Sequence, residues 1–403
     1  MASEIRRLPG GSVTSPAGFL AGALHAGLKS DPQKPDLVLL VSEHPCAAAA
    51  TFTANRFAAA PVQLDRERIK SGHARAILAN SGNANACTGQ QGLENARLMA
   101  RWAADKAGLD PDEVLVASTG IIGVQLPMDR IRDGLARLEL SPDGGLAAAY
   151  GIMTTDTRPK TIAVEFQAGG KPVRVGGMSK GAGMIHPNMA TMLCFITTDA
   201  RAEAGYLRAA LKDAVADSFN MISVDGDTST NDTCILLANG ASGIALDGCG
   251  PESALFQQAL NEVAQNLARA MVADAEGAQR TMRIEVRGAP SEGDARLAAR
   301  AVASSSLTKA ALHGADPNWG RILCAVGYSG ADFDPDLVEL QVGGVALVRD
   351  GTPLDFDAAA ASAAMKTDEV EILVDLHQGS SRAVSWGCEL TEAYVVENSA
   401  YTT

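Results

Sequence analysis

The chain has 403 residues, 46% of them hydrophobic but only 4% aromatic, with 40 glycines and a formal charge of −13. That length builds two or three domains or one large layered body, with a core of small and branched aliphatics. Such an acidic balance lacks the basic footprint of a nucleic-acid or anionic-membrane binder, and small molecules are the expected partners. Seven cysteines without a C-x-x-C pair read as reduced thiols, and the six histidines show no metal-ligand spacing. The N-terminal residues lack the apolar run of a signal peptide, and no stretch of about 18 apolar residues occurs. A cytoplasmic enzyme without a metal is the expectation.

In chain order, residues 36–41 and 76–79 read as short buried strands, separated by a Thr- and Ala-rich segment at 47–62. Residues 80–89, rich in Gly and Asn, form a loop that turns the chain or lines a ligand. Residues 94–108 have helical spacing with Gly108 as the stop, and 114–117 form a strand. That strand leads into Ser118-Thr-Gly-Ile-Ile-Gly123, a turn whose backbone N–H groups can converge on one spot, before Pro127 opens a helix to about residue 138. Met153-Thr-Thr-Asp-Thr157 is a hydroxyl cluster suited to a turn or cap, followed by the alternating strand Ile162, Val164, Phe166.

The stretch from Met178 to Thr197 is the most informative. Glycines and Pro187 exclude a regular element in its first half, whereas Met192 to Ile196 is a continuous apolar run typical of a strand buried on both faces. Thr191 stands at the head of that strand, after the small residue Ala190. Its Oγ has access to the preceding carbonyl, and an N-to-O acyl shift followed by hydrolysis would leave Thr191 as a new N-terminus. A threonine hydroxyl is a weak nucleophile without a base, and the freed α-amine, with a reference pKa of about 7.7–8.0, supplies one. His186 lies near in sequence, but the mechanism needs no histidine.

Further on, Leu207, Leu211, Val215 and Phe219 mark an amphipathic helix. Asp225-Gly-Asp-Thr-Ser-Thr-Asn-Asp232 has the composition of a calcium loop but lacks its twelfth-position Glu. A helix at 255–272 ends in Asp274-Ala-Glu-Gly277, ahead of the strand Met282, Ile284, Val286. Residues 307–312 close another helix, and 337–342 and 370–376 alternate as strands. Residues 394–403 have the position of a frayed tail.

Lys180-Gly-Ala-Gly-Met and Ala190-Thr-Met-Leu resemble the self-processing site of the ornithine acetyltransferases, the ArgJ family. The resemblance continues through Asn80-Ser-Gly-Asn-Ala-Asn-Ala86, Ser118–Gly123, Met153–Thr157, Asp225-Gly-Asp-Thr228, Glu276-Gly277, Gly314-Ala-Asp-Pro-Asn-Trp-Gly320 and Glu397-Asn-Ser-Ala-Tyr-Thr-Thr403. It implies a layered α/β/β/α body like that of N-terminal nucleophile enzymes, with a smaller C-terminal α/β domain at roughly 280–403. Cleavage between Ala190 and Thr191 would give an α chain of residues 1–190 and a β chain of 191–403, assembling as an α2β2 heterotetramer.

The resemblance also implies ping-pong acetyl transfer from N2-acetyl-L-ornithine to L-glutamate, with Thr191 as nucleophile and Thr119 and Gly120 as the oxyanion hole. Thr154, Lys180, Thr191, Glu276, Asn398 and Thr403 are its substrate-binding positions. Lys180 suits the shared α-carboxylate and Glu276 the ornithine ammonium. No cofactor is implied, and acetyl-CoA stays open as a second acetyl source. The Ile185-His-Pro-Asn188 stretch departs from the family pattern in the scissile loop. Two other readings share parts of this evidence: a self-processing aminopeptidase or amidohydrolase, and a phosphate-cradling binding protein. The second lacks both glycine-rich phosphate motifs.

Overall fold

A computed structural model of the protein describes residues 5–186 and 192–400. Its centre is two stacked β-sheets. The four-stranded sheet runs Phe19–Leu24, Leu37–Ser42, Ala76–Asn83, Val114–Ile121, and the six-stranded sheet runs Arg6–Arg7, Lys160–Ala168, Lys171–Lys180, Leu193–Thr198, Thr233–Ala238, Ala47–Phe52.

Side-chain alternation explains the stacking. Along Leu193–Thr198 and its parallel neighbour Thr233–Ala238, Leu193, Phe195, Ile235 and Leu237 point toward the other sheet and pack with Val38, Leu40, Ile77 and Leu115. Cys194, Ile196, Cys234 and Leu236 point the other way, onto helices Ala204–Ala216 and Gly250–Val272. Both faces are dry, so the strand reads as an unbroken apolar run. Burying a side chain such as Phe195 contributes about 1.5–3 kcal/mol.

The outer face of the four-stranded sheet is covered by helices Ala60–Arg68, Gly89–Ala107 and Met128–Arg137. In Gly89–Ala107 the buried positions Gly92, Ala96, Met99, Ala100 and Ala103 follow the helical period, and Gly108 ends the helix in the left-handed region at φ 66°. The order of layers is therefore α/β/β/α, the expected architecture.

Strands from residue 281 onward form a third sheet, in the order Ile222–Ser223, Ser381–Cys388, Thr281–Ala289, Glu369–Asp375, Glu339–Val342, Val345–Arg349, Thr352–Pro353. Its first strand belongs to the main body, where Ile222 and Ser223 pair with Trp386 and Gly387. One apolar cluster runs without a break from the six-stranded sheet into this third sheet.

Four local expectations are corrected. The Thr- and Ala-rich segment is a strand, Ala47–Phe52, and a helix, Ala60–Arg68. The first part of the Asn- and Gly-rich loop, and Thr119 with Gly120, prolong strands Ala76–Asn83 and Val114–Ile121. The start of the glycine-bearing stretch is not irregular either, because strand Lys171–Lys180 runs through Met178 and Ser179 to Lys180. The tail is a helix over Glu392–Ala400. Among the described residues, no helix is long and apolar enough to cross a membrane.

Candidate active site

Strands Lys171–Lys180 and Leu193–Thr198 are antiparallel neighbours in register from Val175 opposite Thr198 to Lys180 opposite Leu193. The chain between their facing ends carries Ala190 and Thr191, which lie outside the described residues, as does Thr403. Met192, the residue after Thr191, is held on both sides: its N–H donates to Asp232 Oδ1 at 3.0 Å and its carbonyl accepts from Thr233 N–H at 3.0 Å.

A cavity of about 730 Å3 opens at this end of the sheets. Thr119, Gly120, Thr154, Lys180, Glu276 and Asn398 all line it. Six positions spread over 280 residues of sequence thus meet at one hollow, in which polar groups converge on a partly apolar wall.

Lys180 ends its strand with its side chain turned inward, 3% exposed, and Nζ donates to Thr119 Oγ1 at 3.2 Å. Burial lowers its pKa, Asp156 opposes that, and Lys160 lowers it further. Beyond it, Gly181 at φ 148° turns the chain, and its N–H donates to Asp156 Oδ1 at 2.7 Å. Burial alone would raise the Asp156 carboxyl, but Lys180, Lys160 and the Gly181 amide together hold it below the ordinary carboxylate value.

The Thr119-Gly120 wall is shaped by close strand approach. Gly120 has φ 128°, and a Cβ there would lie 2.4 Å from the Gly82 carbonyl carbon and 2.6 Å from Asn83 N. Only glycine fits. From the six-stranded side, Asn231 Nδ2 donates to Ala84 O at 2.6 Å and Ser118 O at 2.7 Å, fastening this wall to the segment that also holds Met192.

Glu276 sits on the turn after helix Gly250–Val272, its N–H donating to Ala182 O at 3.0 Å. A Cβ on Gly183 would lie 2.3 Å from Glu276 Oε2, so the second glycine of the Lys-Gly-Ala-Gly run makes room for this carboxylate. Asn398 Nδ2 donates to Glu276 Oε2 at 2.9 Å.

The Asp225–Asp232 segment has a role other than calcium. Asp225 accepts from the N–H groups of Met184 and Ile185 and from Tyr394 Oη, at 3.2 Å for the last. Its carboxyl is thus committed to fixing the chain at Met184 and Ile185, upstream of Ala190 and Thr191. Among the described residues no group of three or more His, Cys, Asp or Glu side chains is placed to hold a metal ion. His186 Nδ1 lies 3.2 Å from Ser223 Oγ and is not among the cavity-lining residues.

Sequence reasoning missed Lys160, Asp274 and Asn231. Lys160 had a readable signal. It continues the inward phase of Ile162, Val164 and Phe166, where a lysine is tolerated only with buried partners.

The layered fold, with a polar pocket at the end of a strand pair and a carboxylate, an ammonium and a threonine hydroxyl converging on it, defines an α/β/β/α-sandwich enzyme. The ArgJ family model matches residues 20–403. The chain is 51% identical over 398 residues to the arginine biosynthesis bifunctional protein ArgJ of Symbiobacterium thermophilum, covering 98% of this chain and 99% of that one. It is 48% identical over 405 residues to the same-named protein of Dehalococcoides mccartyi, covering both in full. With the glutamate N-acetyltransferase of Methanocaldococcus jannaschii it shares 47% over 411 residues, covering 98% of this chain and 100% of that one. The chain belongs to the ArgJ family.

Proposed function

We propose that this protein is the acyltransferase that moves an acetyl group from N2-acetyl-L-ornithine to L-glutamate, after cleaving its own chain between Ala190 and Thr191. In the cleavage, Thr191 Oγ adds to the Ala190 carbonyl carbon, and the C–N bond breaks as its nitrogen takes up a proton. Water then hydrolyses the ester, leaving a carboxylate at Ala190 and a free amine at Thr191.

That amine takes the Oγ proton when Oγ attacks the acetyl carbonyl, and the proton passes to the departing ornithine nitrogen. Glutamate's amine then attacks acetyl-Thr191 and restores the hydroxyl. Each half-reaction passes through an oxyanion, for which Thr119 and Gly120 are the donors. Lys180 takes the α-carboxylate common to both substrates and Glu276 the ornithine ammonium, with Thr154, Asn398 and Thr403 completing the contacts. No step uses a cofactor. Two cleaved protomers assemble as an α2β2 heterotetramer in the cytoplasm.

The observation that carries this reading is the convergence of Thr119, Gly120, Lys180 and Glu276 on one cavity beside the end of the strand that follows Thr191. Intact mass of the wild type beside Thr191→Ala tests it, followed by acetyl transfer to labelled glutamate. Fragments 1–190 and 191–403 in the wild type alone, with label recovered in N-acetylglutamate, are expected. An uncleaved wild type, or acetate released in place of N-acetylglutamate, overturns it. The same preparation offered acetyl-CoA tells whether a second donor is used, and its native mass tells the assembly.

A further inference from the structure

Three walls of the pocket meet at a side chain that does not line it. Lys160 opens strand Lys160–Ala168, is 2% exposed, and points between two carboxylates. Its Nζ donates to Asp156 Oδ1 at 2.5 Å and to Asp274 Oδ2 at 2.6 Å.

Each carboxylate holds a different piece of the pocket. Asp156 accepts from Thr154 N–H at 3.0 Å and from Gly181 N–H at 2.7 Å, the residue after Lys180. Asp274 accepts from Thr157 N–H at 3.0 Å and from the Thr157 hydroxyl, and stands two residues before Glu276. One ammonium thus ties the loop carrying Thr154, the strand end carrying Lys180 and the turn carrying Glu276.

We propose that Lys160 is a positioning residue for acetyl transfer, fixing Lys180 and Glu276 relative to each other and, by engaging Asp156, keeping that carboxylate from acting as a private counter-ion to Lys180. The inference rests on the function proposed above, in which Lys180 binds the substrate carboxylate.

The charge array makes the role separable from mere packing. Lys180 is faced by Asp156, Lys160, Glu276 and Asp232, with the Thr119 hydroxyl on its Nζ. Lys160 is faced by Asp156 and Asp274, and Arg158 approaches Asp274 from the rim at 3.8 Å. Lys29 is a more distant cation that feels both Asp156 and Lys180. A Lys180 that must be charged to hold a carboxylate gives activity that is lost as pH rises through its pKa. Removing the neighbouring cation frees Asp156 for Lys180 and strengthens its hold on the proton. Removing a carboxylate does the reverse.

The test is the pH profile of kcat/KM for acetylornithine in the cleaved holoenzyme, wild type beside Lys160→Met, Lys160→Arg and Asp274→Asn. The alkaline limb is expected to move up by roughly one pH unit in Lys160→Met. It should move down in Asp274→Asn and return toward the wild type in Lys160→Arg, which keeps the charge. A general loosening of the site has no reason to move the limb in opposite directions. Asp274→Asn carries the test alone if Lys160→Met does not fold. An unmoved limb in both Lys160→Met and Asp274→Asn, or shifts of the same sign, overturns the inference while wild-type transfer stands. A wild type without transfer overturns the underlying function as well.

Discussion

Asn398 and Glu276 are joined at the pocket, Nδ2 to Oε2 at 2.9 Å, and the same Asn398 amide donates to Tyr394 O at 3.0 Å. A helix near the end of the chain, with no buried residue of its own, is thereby attached to a carboxylate on the turn that precedes strand Thr281–Ala289.

Glu276→Gln removes the charge and keeps the shape. A hydrogen bond to a charged group is worth about 1.5–3 kcal/mol, so the KM for acetylornithine should rise roughly tenfold to a hundredfold. Asn398→Ala should raise it less, since it removes an uncharged contact and releases the carboxylate from its tether while leaving the charge in place. Steady-state kinetics check both, and an unchanged KM in Glu276→Gln removes this residue from substrate binding.

Thr119→Ala and Gly120→Ala should fail differently. A single oxyanion donor is worth about 3–4 kcal/mol in full, and the backbone share survives in Thr119→Ala, so kcat should fall about tenfold to a hundredfold with the fold intact. In Gly120→Ala the new Cβ meets the Gly82 carbonyl carbon at 2.4 Å in a left-handed conformation, so melting temperature and activity should drop together. Calorimetry alongside kcat separates the two.

Asp225→Ala should slow self-cleavage, because it frees the N–H groups of Met184 and Ile185 and the Tyr394 hydroxyl together. A time course of intact mass after expression reads the effect, with at least a tenfold slowing as the expectation from misplaced reacting groups. Cleavage at the wild-type rate would show that the upstream anchor is dispensable.

Asp65 gives a pH dependence far from the site. Both its oxygens accept from Val116 N–H at 3.1 Å, and burial pushes its carboxyl well above the ordinary value, partly offset by that amide and by Arg68. Between the unfolded pKa of about 3.9 and the raised folded one, the native state holds a proton that the unfolded chain has lost. Stability therefore falls as pH rises through this window, by up to about 1.4 kcal/mol per pH unit for this group. Asp65→Asn should flatten that slope in urea unfolding measured at pH 5 and pH 7.

What the sequence disclosed follows from which forces are local. The strand after Thr191 was legible because both its faces are apolar, and helix Gly89–Ala107 because its buried positions repeat every three to four residues. Helix Glu392–Ala400 was not legible. It buries no side chain, has no apolar stripe, and is held by Tyr394 and Asn398 reaching residues far away in sequence. Thr119 and Gly120 looked like a turn because glycine usually marks one; here it permits two parallel strands to approach instead. The positions taken from the family pattern meet in the pocket wherever they are described. The buried pairings of Lys160 required knowing which strands and turns face each other.

The register between Lys171–Lys180 and Leu193–Thr198 has a consequence for the life of the molecule. On the proposed cleavage, these two adjacent strands of the central sheet belong to separate polypeptides, still joined by the ladder from Val175 with Thr198 to Lys180 with Leu193. Dilution cannot part them without opening the core. Once denatured, however, the halves must find each other by collision, so recovery becomes second order in protein concentration, whereas the uncut precursor refolds as one chain. Maturation would make assembly a one-way event, and a concentration series in refolding yield, wild type against Thr191→Ala, makes the difference visible.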